Sequence, residues 1–212
     1  MLEVSEILAS LAKKRPVFHS EADFQHAIAW EIHHRFPDAA IRLERPVEVN
    51  GQFLHVDVWI IRGTEHIGIE LKYKTRDLSV DLSGERFRLR GQSAQDIGRY
   101  DFVKDIQRLE QLAAATRDFA GYAILLTNDS AYWADPAKHA TIDASFRINN
   151  GRLLKGTLAW GANAGVGTMK NREGPLMLRD QYVVRWTDYS HPSSASYGLF
   201  RSITISVCGL LR

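Results

Sequence analysis

His55–Lys72 reads HVDVWIIRGTEHIGIELK, two runs of alternating apolar and polar residues joined by Arg62-Gly63-Thr64-Glu65. Alternation of this kind marks a strand with one buried face, and glycine at the first of two central positions suits a type II′ hairpin turn. With Gly63-Thr64 as that turn, Arg62 faces Glu65 and the register runs back from there. Ile60 faces Ile67, Val58 faces Ile69 and Val56 faces Leu71, so one face is apolar throughout. The other face sets Trp59 opposite Gly68, Asp57 opposite Glu70 and His55 opposite Lys72. Asp57 and Glu70 then become cross-strand neighbours, roughly 5 Å apart at Cβ, which costs stability unless positive charge lies between them. A divalent cation answers that need. Oxygen donors suit Mg²⁺ or Mn²⁺, and Lys72, two residues beyond Glu70, could hold a water nucleophile or a scissile phosphate beside the metal.

Moving outward, Ser5–Arg15 repeats Ile7, Leu8 and Leu11 at helical spacing and stops at Pro16. His19–Phe36 opens with Ser20-Glu21-Ala22-Asp23, a capping box with Asp in place of Glu, and carries Phe24, Ala27, Ile28, Ile32 and Phe36 on one stripe. Glu21 lies on the stripe side of this helix and has two readings. A buried acid wants a partner, which the metal site could supply, while an acid in the first turn is also favoured by the helix dipole. Arg42–Val49, an Asn50-Gly51 turn and Phe53–Ile61 read as a hairpin, and Leu78–Leu89 as a smaller one around Ser83-Gly84. Ala94–Ala115 is a second long helix leading into the apolar strand Tyr122–Thr127. Beyond it, Ser145–Ile148, Leu153–Trp160, Tyr182–Trp186 and Phe200–Val207 read as strands, with Gly161–Thr168 as a loop. Asn128-Asp129 marks either a strand end reaching a ligand crevice or a turn capping Tyr132-Trp133.

A helix bearing an acid, an Asp in one strand, Glu-x-Lys in the next, a second long helix and a further strand resemble the PD-(D/E)XK nuclease superfamily, and the segments Gly91–Asp105 and Leu125–Asp129 resemble its uncharacterised bacterial members. The resemblance covers about residues 18–128 and implies an α/β fold: a restriction-endonuclease-like αβββαβ core with a mixed sheet. Residues 129–212 would form a β-rich extension within a single domain of residues 1–212. The matching positions are Glu21, Asp57, Glu70 and Lys72. The implied activity is metal-dependent phosphodiester hydrolysis in nucleic acid, DNA before RNA, with Mg²⁺ or Mn²⁺. Asp57, Glu70 and the Leu71 carbonyl would hold the metal, Lys72 would activate the attacking water, and Glu21 would assist as an outer ligand. Two departures stand beside it: Val56 occupies the namesake proline position, and Gln95 and Tyr100 are spaced too widely for the Gln-x-x-x-Tyr element of some DNA-processing relatives.

Phosphate contacts are expected from Lys74, Arg76, the alternating Arg86, Arg88 and Arg90, and from Arg99, Lys104 and Arg108 on the second helix. The arginine edge has a plainer reading as a guard against strand-to-strand aggregation. Asp96, Asp101 and Asp105 lie at helical spacing from the helix cations and could consume several of those charges.

Composition bounds these readings. The 212 residues carry Lys+Arg 27 against Asp+Glu 25, a net charge of +2, so nucleic acid would bind only through a local patch. One cysteine excludes an internal disulfide and a cysteine-based zinc site, and none of the eight histidines has metal-ligand spacing. Glu3 and Glu6 stand where a secretory signal would be basic, and no apolar run reaches a membrane span, so a cytoplasmic protein with no membrane partner is expected. A homodimer or partner subunit is compatible with the β-rich final third, which could also recognise substrate or close the sheet. Two alternatives remain: a non-catalytic nucleic-acid-binding or interaction protein retaining the nuclease fold, and an unrelated α/β enzyme using Asp57 and Glu70 for metal-free acid–base work.

Overall fold

In the computed structural model, which describes residues 2–209, the chain opens with α1 (Val4–Lys14) and α2 (Glu21–Arg35). Ser20 caps α2, its Oγ accepting the Asp23 amide at 3.1 Å, as the capping box requires. The Asp23 carboxylate accepts the His19 amide and holds Arg15, tying α2 to the end of α1. Strands β1 (Ala40–Val49), β2 (Gln52–Arg62) and β3 (Glu65–Lys74) follow as an antiparallel meander. A two-stranded hairpin, β4 (Leu78–Leu82) and β5 (Glu85–Leu89), precedes the long helix α3 (Gln95–Ala115). This helix carries the chain to β6 (Phe119–Thr127), which lies parallel to β3.

The last third contributes β7 (Leu153–Leu158), the short α4 (Val166–Met169), β8 (Leu176–Val183), β9 (Trp186–Ser190) and β10 (Phe200–Cys208). The main sheet is mixed and six-stranded, in the order β1-β2-β3-β6-β10-β9. The final third is therefore integral to that sheet. Helices α1 and α2 and the β4–β5 hairpin bury one face, through Ile7, Phe24, Ile28, Phe87 and Leu89 against Val58, Ile60, Ile69 and Ile124. Helix α3 and the β7–β8 hairpin bury the other, through Val103, Ile106, Leu154 and Leu178 against Trp59, Leu125 and Ile203. Gly68 and Gly121 pair across β3 and β6 beneath α3. A Cβ on either would meet Phe119 at 3.0–3.1 Å, and one on Gly121 would meet Leu109 at 3.1 Å, so α3 seats close to the sheet because these two residues lack side chains.

Three expectations need correction. Ser145–Ile148 is not a strand: a 3₁₀ turn spans Ala144–Phe146, and the buried Phe146 and Ile148 imitate strand alternation. Tyr182–Trp186 is not one strand, since β8 ends at Val183 and β9 begins at Trp186. Gly161–Thr168 leads into the one-turn α4.

Candidate active site

The β2–β3 hairpin turns at Gly63 (φ +60), and the register matches the sequence reading from Arg62–Glu65 to Val58–Ile69. There the ladder ends. Val56 does not pair with Leu71, nor Asp57 with Glu70, nor His55 with Lys72. The reason lies in β1 and β2 together. Glu44 adopts a left-handed backbone (φ +51), and it and Asp57 are the only residues skipped between the pairs Leu43–Val58 and Arg45–Val56. Side-chain facing reverses across this step on both strands. Val58 and Ile60 pack against the α1–α2 layer, whereas Leu54 and Val56 pack on the α3 side; on β1, Ile41 faces the first layer and Val47 and Val49 the second. Regular alternation cannot cross such a step, so the far half of the β1–β2 ribbon turns away from β3.

The separation leaves β3 with amides that have no strand partner, and carboxylates take them. Asp57 Oδ2 accepts the Leu71 amide at 2.6 Å, and Glu21 Oε2, from the first turn of α2, accepts the Tyr73 amide at 2.8 Å. Glu21 is exposed rather than buried, as its place in the first turn of α2 favours, and from there its carboxylate still reaches the strand of the acid–lysine motif. Glu70 and Lys72 project from β3 toward α3. Lys72 Nζ lies 2.7 Å from Asp105 Oδ2 and donates to the Leu71 carbonyl at 3.1 Å. Arg108 Nη2 lies 3.2 Å from Glu70 Oε1, outside hydrogen-bonding alignment, and donates to the His55 carbonyl.

Electrostatics at this junction are strained by burial. Burial pushes the Asp57 carboxyl up to about 6, aided by the charges of Asp105 and Glu44 and opposed by the Leu71 amide and Lys72. Glu70, 1% exposed, is driven well above the ordinary carboxylate range by burial and then by Asp105, with Arg108 opposing. Burial also raises Asp105 against the pull of Lys72. For Lys72, burial favours the neutral amine, but Asp105 and then Asp57 outweigh it and the net shift is upward. Lys72 is therefore an ammonium at neutral pH, a donor rather than a base.

A divalent cation fits this donor set on one observation. Glu70 Oε1 is buried with no aligned hydrogen bond, its charge met by Arg108 at 3.2 Å, in a neighbourhood where Asp105 raises both Glu70 and Asp57. Asp57, Glu70 and the Leu71 carbonyl would form the ligand set. Among the described residues, no three His, Cys, Asp or Glu side chains gather at metal-binding distance, so a main-chain oxygen and water would complete it.

The expected phosphate contacts divide. Lys104 is exposed on α3, and Arg86, Arg88 and Arg90 are exposed along β5 and its end, with Arg86 3.9 Å from Asp81. Lys74 is half-buried near the end of β3, and the Arg76 guanidinium stacks 5.0 Å over Tyr197. Arg99 is corrected: it is 4% exposed, paired with Asp143 at 2.5 Å and bonded to the Ala131 carbonyl, so it fastens α3 to the following loop. Arg108 is half-buried and stands against Glu70 and Asp105, so it lies at the acid cluster rather than on an open face. Asn128 and Asp129 act in turns, Asn128 accepting the Arg76 amide and Asp129 the Ala131 amide.

Sequence reasoning missed Gln25 and Glu44, which bond to one another beside Asp57, and the pairing of Asp105 with Lys72. A polar residue on the buried stripe of α2, one turn beyond Glu21, was the available signal for Gln25. Among the described residues no helix is long and apolar enough to cross a membrane. No protein-family profile, curated protein or solved structure matches the chain.

Proposed function

We propose that the chain is a metal-dependent nuclease built on a restriction-endonuclease-like core, hydrolysing phosphodiester bonds in nucleic acid, DNA before RNA. The observation that carries this reading is the parting of β2 from β3, which brings Asp57, Glu70, Lys72 and Glu21 to one strand end. The order α2-β1-β2-β3-α3-β6, with the β4–β5 hairpin inserted before α3, supports it, because the main-sheet elements and the two helices follow the αβββαβ order the resemblance implies.

Bound between Asp57, Glu70 and the Leu71 carbonyl, Mg²⁺ or Mn²⁺ would supply Lewis acidity toward a phosphoryl oxygen and a more acidic water. The remaining work belongs to side chains. Lys72, held by Asp105 and the Leu71 carbonyl, presents N–H donors to a water or a phosphoryl oxygen, and as an ammonium it orients the nucleophile without taking its proton. Arg108 offsets the Glu70 charge. Glu21 holds the Tyr73 amide and so fixes the strand that carries Lys72. Arg88, Arg90 and Lys104 are exposed and could meet the phosphate backbone, as could Arg86 once released from Asp81.

A second reading, a nucleic-acid-binding protein without turnover, is favoured by one observation: Lys72 and Glu70 already stand against Asp105 and Arg108. Incubation with supercoiled plasmid, linear duplex, single-stranded DNA and RNA, in Mg²⁺, Mn²⁺ or EDTA, decides between them. The nuclease reading expects metal-dependent cleavage that is lost in Asp57→Ala and Lys72→Ala. Binding with no cleavage of any substrate favours the second reading.

A further inference from the structure

We infer that Gln25 is a positioning residue which, with Glu44, sets the Asp57 carboxylate against β3. The inference rests on reading Asp57 as a site carboxylate. Gln25 is 8% exposed on α2, and its Nε2 donates to the Asp57 carbonyl at 2.7 Å and to Glu44 Oε1 at 2.6 Å. Both protons of the amide are thus committed, one to each strand of the ribbon, at the single step where facing reverses. Glu44 is a non-glycine residue held at φ +51 within a strand, a conformation that costs about 1 kcal/mol and persists only where its surroundings impose it.

The arrangement has a mechanical logic. At the reversal, Asp57 has no paired residue on β1 or β3, so its partly buried carbonyl takes a donor from elsewhere. Gln25 supplies it from the helix that also carries Glu21. The clamp therefore joins α2, β1 and β2 at one point, and the Asp57 side chain leaves that point toward the Leu71 amide, 2.6 Å away. Glu44 gives the amide its second anchor, so that Gln25 cannot rotate away from the Asp57 carbonyl.

Amide hydrogen exchange on the metal-free protein tests this at a single atom. The Leu71 amide reports whether Asp57 is in place, and the Ile67 amide, in the intact part of the β2–β3 ladder, reports global stability. In Gln25→Leu, Leu71 exchange is expected to quicken at least tenfold, approaching the rate in Asp57→Ala, with Ile67 unchanged. Glu44→Ala, at an exposed position, is expected to move Leu71 in the same direction and keeps the test decisive if Gln25→Leu fails to fold. Unchanged Leu71 exchange, or equal acceleration at both amides, overturns the inference. A Mn²⁺ titration of the same proteins separates it from the functional reading: weaker binding in the variants joins the two, whereas a wild type that takes no Mn²⁺ removes the metal and leaves the exchange result to decide the clamp.

Discussion

Asp57 is an acid placed where its charge is costly. Its carboxyl, ordinarily near 3.8, is pushed up to about 6 by burial and by Asp105 and Glu44. Between those values the folded protein keeps a proton that the unfolded chain releases. The favourable contribution is therefore full below pH 3.8 and is lost as pH rises through about 6. Above that, the ionised group weighs against folding. Asp57→Asn keeps an acceptor for the Leu71 amide and removes the charge, so it should stabilise the metal-free protein by about 2 kcal/mol at pH 8, discounting the full pKa shift for partial exposure. Thermal melts of both proteins from pH 3.5 to 8 should show Tm values that coincide in acid and separate as pH rises. A constant gap across that range would contradict the assignment. The same residue explains a limit of sequence reading. Cross-strand spacing brought Asp57 and Glu70 into one neighbourhood, but the partner that holds Asp57 is the Leu71 amide, which no residue pattern displays.

At the scale of elements, the close seating of α3 depends on the glycine pair in β3 and β6. Gly121→Val adds a branched side chain where a Cβ already meets Leu109 and Phe119 at 3.1 Å. Overpacking of this kind should cost about 2 kcal/mol, read as a lowered urea midpoint with an unchanged m value. Because α3 carries Asp105 and Arg108, the same variant should loosen their hold on Lys72 and Glu70. Elements with uninterrupted periodicity were legible: both long helices, the β2–β3 turn and its register as far as Val58–Ile69, and β6. The break beyond Val58 was not, because it depends on one backbone angle at Glu44 and on a glutamine from α2. Strand β8 was hidden for a related reason. Its pairing with β7 shifts between Lys155 and Gly156, leaving Arg179 and Asp180 unpaired on β8, and Glu110 from α3 accepts both of their amides and the Tyr182 hydroxyl. An alternation read along the strand fails at that bulge. The pairing of Asp105 with Lys72 was obscured by nearer candidates, since Lys104 and Arg108 lie at closer sequence spacing.

For the whole molecule, a net charge of +2 leaves affinity for a polyanion to local arrangement. If the exposed edge of Arg86, Arg88 and Arg90 follows a phosphate backbone, their combined replacement by alanine should weaken duplex binding and lower the slope of log K against log salt by about 2 to 3. Fluorescence anisotropy across a salt series checks this, and an unchanged slope would return the edge to its plainer role of blocking strand association. The six-stranded sheet draws its two outermost strands on one side from the final third of the chain, so the site's foundation depends on residues well beyond the core the resemblance covers. Everything proposed for function turns on whether the parted ends of β2 and β3 hold a divalent cation. Calorimetric titration of Mn²⁺ into the wild type, Asp57→Asn and Glu70→Gln asks this directly. A metal site there gives saturable binding by the wild type, weakened at least tenfold in each variant. No binding by the wild type, or equal binding by all three proteins, would contradict it.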